Sequence, residues 1–203
     1  MSVLVIDPSA DDYLRLLSRE FPGIDVRVAL ERGAVGSEIE TASVLIGLPP
    51  AFSDDLVQRA SRLEWIQLLS SGTDVLRRLP SLRPGVVVTS TQGVHAPPVS
   101  EMAFLHMLAV ALQYDRTVRN RALERWEKPP QPLLCGRTVV ILDLTPRMGG
   151  EAAPYAGLVW RILRHTMACH LEGRPFDMLN RIARGGQVNP PPSRPEQPPT
   201  NAS

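Results

Sequence analysis

The stretch Leu63-Glu-Trp-Ile-Gln-Leu-Leu-Ser-Ser-Gly-Thr-Asp74 decides the fold. Its apolar run over residues 65–69 predicts a buried β-strand, and Ser70, Ser71 and Gly72 predict a turn directly after it. Small residues at the carboxyl end of a strand leave backbone N–H groups accessible to an anion. The turn is therefore either an anion-binding nest or a plain connection between a strand and a helix.

Four more apolar runs predict strands on either side of this stretch, over residues 3–6, 26–30, 43–47 and 86–89. Between them, one helix is expected to begin at Ser9, a short one within residues 31–41, and another at Ser53 or Asp54. Strands that alternate with helices predict an α/β fold, a parallel sheet with helices on both faces. Because ligands bind at the carboxyl ends of parallel strands, loops 48–50, 70–73 and 90–96 are expected to share one edge and form a cleft.

The second half of the chain is less regular. Pro97 and Pro98 suit the first turn of a helix, which is predicted over residues 98–114 with an apolar stripe. The polar residues 115–135 are predicted to form an arm, followed by a buried strand over 138–142. Another helix is expected over 153–172 and a short closing segment over 179–182. The Pro-rich residues 184–203 predict a disordered tail.

The composition excludes several classes of protein. The formal net charge of +1 gives no field that would attract nucleic acid or an anionic membrane. Cys135 and Cys169 have no metal-ligand spacing, so they are expected to be reduced thiols of a cytoplasmic protein, and no metal site is expected. The N-terminal residues do not have the pattern of a signal peptide, and no apolar run reaches the roughly 18 residues of a membrane span.

Four segments, in this order, resemble the D-isomer-specific 2-hydroxyacid dehydrogenases. The first is the stretch quoted above. The others are Val88-Thr-Ser-Thr-Gln-Gly-Val-His-Ala-Pro-Pro-Val-Ser-Glu-Met-Ala103, Leu134-Cys-Gly-Arg-Thr-Val-Val-Ile-Leu142 and Thr145-Pro-Arg-Met-Gly-Gly150. The resemblance covers roughly residues 1–142 and 145–183. It implies an NAD- or NADP-dependent oxidoreductase acting on the CH–OH group of a 2-hydroxy acid.

The resemblance also implies that most of one domain is absent. In the family, a nucleotide-binding domain is inserted into the substrate domain, but here the return segment follows directly on the first strand of the insertion. On the order of 100–150 residues are missing, about one domain. They would carry the Gly-rich phosphate loop and the catalytic Arg and Glu. The family's catalytic His, in Thr-Pro-His-x-Gly-Gly, is replaced by Arg147, which cannot act as a base because a guanidinium stays protonated.

The candidate binding residues follow from the same match. Ser71 and Gly72 correspond to the loop whose backbone N–H groups hold the substrate carboxylate. His95 lies in a loop that faces the substrate in the family, although a surface histidine without a role is the simpler interpretation. Val99 corresponds to a residue that packs against nicotinamide, or is an ordinary core residue at a helix start. NAD or NADP is the implied cofactor, and its binding by this chain is doubtful.

We therefore expect a flavodoxin-like α/β domain built from residues 1–96 and 145–183, with residues 97–144 projecting from it as a helix, an arm and a vestigial strand. Strand 138–142 has lost its sheet in this arrangement, so it must pair elsewhere or hang loose. A homodimer through helix 98–114 is expected, because large apolar patches are usually covered. Three hypotheses stay open: a dehydrogenase-family protein that is inactive alone, a non-catalytic remnant that binds a small 2-hydroxy or 2-keto acid or dimerises, and a gene product without function.

Overall fold

A computed structural model describes residues 1–127, 130–140 and 155–182 of the 203-residue chain. The predicted junction with Arg147, and the predicted tail over 184–203, lie outside these residues. The chain divides into two compact units, residues 1–92 with 156–203, and residues 93–155.

The first unit is built around a parallel sheet of five strands: β1 (Ser2–Ile6), β2 (Asp25–Ala29), β3 (Val44–Gly47), β4 (Trp65–Leu68) and β5 (Val87–Thr89). The strand order is β2-β1-β3-β4-β5, and every neighbouring pair is parallel. This is the flavodoxin-like order, so the predicted fold class is confirmed. The predicted strand ends differ by at most one residue; Leu30, predicted as the end of the second strand, is 57% exposed because β2 ends at Ala29.

Three helices accompany this sheet: α1 (Ala10–Glu20), α2 (Asp54–Arg59) and α5 (Tyr155–Leu171). Short 3-10 helices cover Arg32–Ala34, Ser37–Glu40, Pro49–Ala51, Asp74–Arg78 and Pro175–Asp177. Right-handed crossovers require α1 and α2 to lie on opposite faces, because β1→β2 and β3→β4 run in opposite directions across the sheet.

Alternate residues of β4 are buried on opposite faces of the sheet. Ile66 and Leu68 belong to a hydrophobic cluster that includes Leu56 and Val57 of α2. Gln67 points to the other face, where its Oε1 accepts a hydrogen bond from Thr166 Oγ1 of α5 at 3.4 Å. The apolar stripe that predicted α5 is inside, since the side chains of Val159, Leu163 and Met167 are fully buried.

The two predicted serine caps behave differently. Ser53 Oγ accepts a hydrogen bond from the N–H of Leu56 at 3.3 Å, so Ser53 is the N-cap of α2. Asp54, the other candidate cap, instead accepts from both the N–H and the hydroxyl of Ser81 through its carboxylate, at 2.8 Å each. Ser9 stands at the N-cap of α1 without a side-chain cap, because its N–H donates to Asp7 Oδ1 at 2.8 Å.

The predicted closing segment returns to the edge of the sheet. Arg181 forms an antiparallel bridge with Thr89, and the N–H of Ile182 donates to the carbonyl of Val88 at 2.8 Å. Residues near the end of the described chain therefore cover part of β5.

The second unit contains α3 (Ala96–Ala111) and α4 (Tyr114–Ala122). The proline-containing start of α3 is as predicted, but its end is not. Gln113 adopts a left-handed conformation with φ of 48°, which interrupts the expected single helix. The expectation of an arm from residue 115 is wrong for residues 115–122. An Asp115–Arg119 ion pair one helical turn apart, three arginines and a terminal alanine support α4 there, although it has few apolar residues.

The strand predicted over 138–142 was expected to pair elsewhere or to hang loose, and its described part hangs loose and is not buried. Residues 138–140 have no regular structure, and Val139 and Val140 are 58% and 74% exposed. An apolar run forms a strand only where a neighbouring strand accepts its hydrogen bonds; none of the described residues pairs with it.

Candidate functional site

The turn after β4 is held together by its own first residue. Ser70 Oγ accepts a hydrogen bond from the N–H of Gly72 at 3.1 Å, and Ser70, Ser71 and Gly72 are all half-buried. The carbonyl of Ser70 accepts from the N–H of Thr91 at 3.2 Å, which joins this turn to the loop after β5. The backbone N–H of Gly72 therefore lies in a half-buried turn of small residues and already has an internal acceptor.

The neighbouring strand β3 ends beside the same turn. The N–H of Leu69 donates to the carbonyl of Gly47 at 2.8 Å. A Cβ atom on Gly47 would lie 2.7 Å from the carbonyl oxygen of Ile6 and 3.3 Å from Ala51 Cβ, so only glycine fits between β1 and the loop after β3. The expected shared edge is confirmed for the loops that follow β3, β4 and β5 within the first unit.

Two buried hydroxyl groups at this edge are unpaired. Ser90 and Thr91 are fully buried, and neither Ser90 Oγ nor Thr91 Oγ1 has a hydrogen-bond partner among the described residues. Thr89, equally buried two residues earlier, accepts from Trp65 Nε1 at 2.8 Å and donates to Gln67 Oε1 at 2.7 Å. Buried hydroxyls are usually hydrogen-bonded. The loop after β5 therefore differs from β5 itself, in which the hydroxyl of Thr89 is hydrogen-bonded.

Asn180 holds that loop from the opposite end of the chain. Its Nδ2 donates to the carbonyls of Ser90 at 3.2 Å and Gln92 at 3.0 Å, while its own carbonyl accepts from the N–H of Ser90 at 3.2 Å. Its φ of 54° is a left-handed conformation, which asparagine tolerates better than most residues. Sequence analysis identified the segment around Asn180 but not this clamp, because the pairing of residues 90 positions apart leaves no local signal.

The structure brings Ser71 and Gly72 together with the loop after β5, but the other two predicted site residues belong to the second unit. His95 is half-buried and occupies the N-cap of α3 without a side-chain cap. Val99 lies in the first turns of α3 and is only 8% exposed, which agrees with a core residue and leaves little surface for a ligand.

Cys169 and His165 form a second candidate constellation, with Sγ and Nε2 3.5 Å apart. The same Nε2 lies 3.1 Å from the carbonyl oxygen of Asp177. A carbonyl only accepts, so Nε2 carries the proton and cannot take one from the thiol. Burial also raises the pKa of the Cys169 thiol, which disfavours a thiolate. The pair is therefore a structural contact and not an activated nucleophile.

The residues present do not fit NAD or NADP. Binding a dinucleotide requires a strand that leads through a Gly-rich turn into a helix N-terminus. Among the described residues, the candidate remnant of such a strand is the segment around Thr138, and it is exposed and unpaired.

Within the described part of the chain, no group of three or more His, Cys, Asp or Glu side chains is arranged to hold a metal ion. Among the same residues, no helix has the length and apolar character needed to cross a membrane.

The sheet order defines a flavodoxin-like fold. Comparison with solved structures shows in which known proteins a similar fold occurs. One similar structure is a D-isomer specific 2-hydroxyacid dehydrogenase family protein from Aeromonas salmonicida, with a TM-score of 0.59 and 24% identity over 64% of this chain and 42% of that one. A second is D-lactate dehydrogenase from Aquifex aeolicus, complexed with NAD and lactic acid, with a TM-score of 0.53 and 16% identity over 66% and 40% of the two chains. A third is an NADPH-dependent glyoxylate/hydroxypyruvate reductase from Sinorhizobium meliloti, in complex with NADP and sulfate, with a TM-score of 0.52 and 19% identity over 65% and 42%.

The resemblance inferred from the four sequence segments is thus confirmed at the level of the fold. The matched region spans less than half the length of each of these dehydrogenases. Neither the protein-family models nor the curated protein sequences give a match to this chain.

Proposed function

We propose that this chain is a member of the D-isomer-specific 2-hydroxyacid dehydrogenase family that binds a small 2-hydroxy or 2-keto acid through its carboxylate and does not transfer hydride alone. The observation that carries the proposal is the half-buried turn of small residues at the carboxyl end of β4, which contains the backbone N–H groups of Ser71 and Gly72. The fold resembles that of a dehydrogenase family protein, and the sequence of this turn resembles the family's carboxylate-binding loop.

Carboxylate recognition by this turn has a clear physical basis. Successive backbone N–H groups in a tight turn form a concave site for an anion without needing a charged side chain. A hydrogen bond from a backbone N–H to a carboxylate is charge-assisted and is roughly twice as strong as a neutral one. The small side chains leave room for a ligand with one carboxylate and a short substituent, such as glyoxylate or pyruvate.

Loss of hydride transfer follows from what replaces the family's catalytic groups. The 203 residues contain no Gly-x-Gly-x-x-Gly motif, and Arg147 stands at the position of the acid–base histidine. Hydride transfer requires a bound nicotinamide and a group that exchanges the hydroxyl proton. Binding of NAD or NADP and turnover of a 2-hydroxy acid are therefore not expected for this chain in isolation. A cytoplasmic location is part of the same proposal.

The carboxylate site is tested by calorimetric titration of the purified chain with pyruvate and, as a control without the charge, with pyruvamide. Saturable binding of pyruvate alone is the expected result. The variant Ser71→Asp should abolish it by placing a like charge at the turn, whereas Ser37→Asp adds the same charge at an exposed site and should not. Equal binding by the two variants would place the acid elsewhere on the chain.

Titration with NADH, followed by fluorescence, tests the second part of the proposal. Saturable micromolar binding of NADH would contradict it, because it would require a nucleotide site that the Gly-rich loop no longer provides.

A second candidate function is dimerisation, with a second copy or with a full-length relative. Four large apolar side chains of α3 are 45–79% exposed: Phe104, Leu105, Leu108 and Val110. They lie within the predicted helical contact over residues 98–114. Light scattering should give the mass of a dimer, and Leu105→Glu should convert it to a monomer; a monomeric parent chain would refute this candidate.

A further inference from the structure

The hydrogen bond inside the turn after β4 uses one of the groups that the proposed ligand requires. The N–H of Gly72 donates to Ser70 Oγ at 3.1 Å. A backbone N–H has one proton to donate. It can donate that proton to a carboxylate oxygen only if the serine oxygen moves away. In this structure the hydroxyl of Ser70 therefore occupies the place that an oxygen of the acid would take.

Two buried hydroxyl groups beside this turn, at the carboxyl edge of the sheet, make no hydrogen bond to the described residues. Thr91, whose N–H donates to the Ser70 carbonyl at 3.2 Å, has a fully buried hydroxyl without a partner among the described residues, and so does Ser90. Buried polar groups are rarely left unpaired, and those that are mark places where the protein does something other than pack. The observation is independent of the bond between Ser70 and Gly72 and lies on the neighbouring loop after β5.

We infer that Ser70 is a specificity-determining residue that competes with the carboxylate ligand for the N–H of Gly72. The inference rests on the proposed carboxylate site. In the free protein the serine oxygen keeps the N–H satisfied and fixes the shape of the turn. In the bound form the carboxylate takes that N–H, and the serine hydroxyl is released and rotates away. A hydrogen bond to an ionised carboxylate is roughly twice as strong as one to a neutral acceptor, so carboxylates gain most by this exchange and the turn favours them over neutral carbonyl compounds.

The expected size of the competition follows from the hydrogen bond that must be broken. A neutral intramolecular hydrogen bond stabilises by an amount that corresponds to roughly a 2- to 12-fold change in an equilibrium constant. Ser70→Ala removes the competing oxygen and nothing larger, and should tighten pyruvate binding by a factor in that range. Ser70→Thr keeps the oxygen and should leave the affinity close to that of the parent chain. Ser37→Ala, at an exposed serine away from the sheet edge, is the control for the substitution itself.

The experiment is a titration of the ¹⁵N-labelled full chain with pyruvate, followed through the amide signal of Gly72 by nuclear magnetic resonance. Loss of the internal bond in Ser70→Ala should shift the Gly72 amide and accelerate its hydrogen exchange before any ligand is added. Added pyruvate should then shift this amide further at lower concentrations than in the parent chain. A structural role of Ser70 alone would leave binding weaker or unchanged in Ser70→Ala, since loosening of the turn does not favour a ligand.

The outcomes separate this inference from the function on which it rests. If the parent chain binds pyruvate at Gly72 and Ser70→Ala binds equally or more weakly, the competition is refuted while the carboxylate site stands. If neither chain shows a saturable shift at Gly72, both the site and the competition are refuted. If only Ser70→Ala binds, the serine blocks the site in the parent chain and the competition is supported in its strongest form.

Discussion

Two buried threonines at the end of β5 offer a matched test of how polar groups stabilise this fold. Thr89 and Thr91 are both fully buried, but only Thr89 is hydrogen-bonded through its side chain. Replacement by valine keeps the shape of either side chain and removes only the hydroxyl. The two variants therefore differ in whether partners are left behind.

The magnitude follows from the contacts of Thr89. In Thr89→Val the fully buried indole N–H of Trp65 loses its acceptor, and Gln67 Oε1 keeps only the 3.4 Å contact from Thr166. The lost bond to Gln67 costs about 1 kcal/mol, and the unpaired indole N–H costs about 1–3 kcal/mol more, so the free energy of unfolding should fall by roughly 2–4 kcal/mol. For a chain of this size that is a fall in Tm of roughly 5–15 °C. Thr91→Val leaves no partner unpaired and should be neutral or stabilise by up to about 1 kcal/mol.

Urea unfolding followed by far-ultraviolet circular dichroism measures both variants without depending on the fluorescence of Trp65. Thr89→Ser is the control, because it restores the hydroxyl and loses only a methyl group. A difference between Thr89→Val and Thr91→Val smaller than about 0.5 kcal/mol, within the scatter of surface substitutions, would refute the reasoning.

Three further predictions concern other parts of the first unit and the exposed thiol. Gly47→Ala should destabilise the chain by about 1–3 kcal/mol in urea unfolding, because its Cβ would lie 2.7 Å from a backbone oxygen. Gly23→Ala is the control and should have little effect, because its Cβ would meet nothing within 4 Å. Equal losses of stability in the two variants would contradict the close approach at Gly47. Burial lowers the pKa of His170, so as the pH falls the unfolded chain takes up this proton first, and the free energy of unfolding should fall below about pH 6.5. His170→Gln should flatten this dependence of stability on pH between pH 8 and 5.5. An unchanged slope would exclude His170 as its source. A thiol reagent such as Ellman's should label exposed Cys135 in the native chain and buried Cys169 only after unfolding, so two fast native equivalents would contradict the burial of α5.

The sheet could be predicted from the sequence because buried strands require runs of apolar residues. Each of the five strands is a short apolar run between turn residues, as Trp65–Leu68 illustrates, and strand ends shifted by no more than one residue. The helix over Tyr114–Ala122 was missed for the complementary reason. It has few apolar residues, and the ion pair between Asp115 and Arg119, which leaves no periodic pattern, supports it. In the segment after Cys135 the apolar run alone predicts a buried strand, but residues 138–140 are exposed because no described strand pairs with them.

The turn of the candidate site could be predicted from the sequence, but its hydrogen bonds could not. Ser71 and Gly72 follow a buried strand, and the family resemblance made them the predicted carboxylate-binding residues. The bond from Gly72 to Ser70, the unpaired hydroxyl of Thr91 and the clamp by Asn180 depend on distances between separate segments. Such contacts follow from the packed fold and have no signature in local residue order.

The attachment of the segment around Asn180 to the edge of β5 has a consequence for how this chain folds during synthesis. The Asn180 contacts join residues 90 and 88 positions apart, and the contact from Thr166 to Gln67 spans 99. Until those late residues leave the ribosome, β5 is an open edge strand and the polar face of β4 lies uncovered. Contacts of such long sequence separation slow folding, and the first 92 residues therefore spend that interval with a pairing surface that can bind another nascent chain. Chaperone dependence should be greatest at this stage of synthesis and should fall once α5 has emerged.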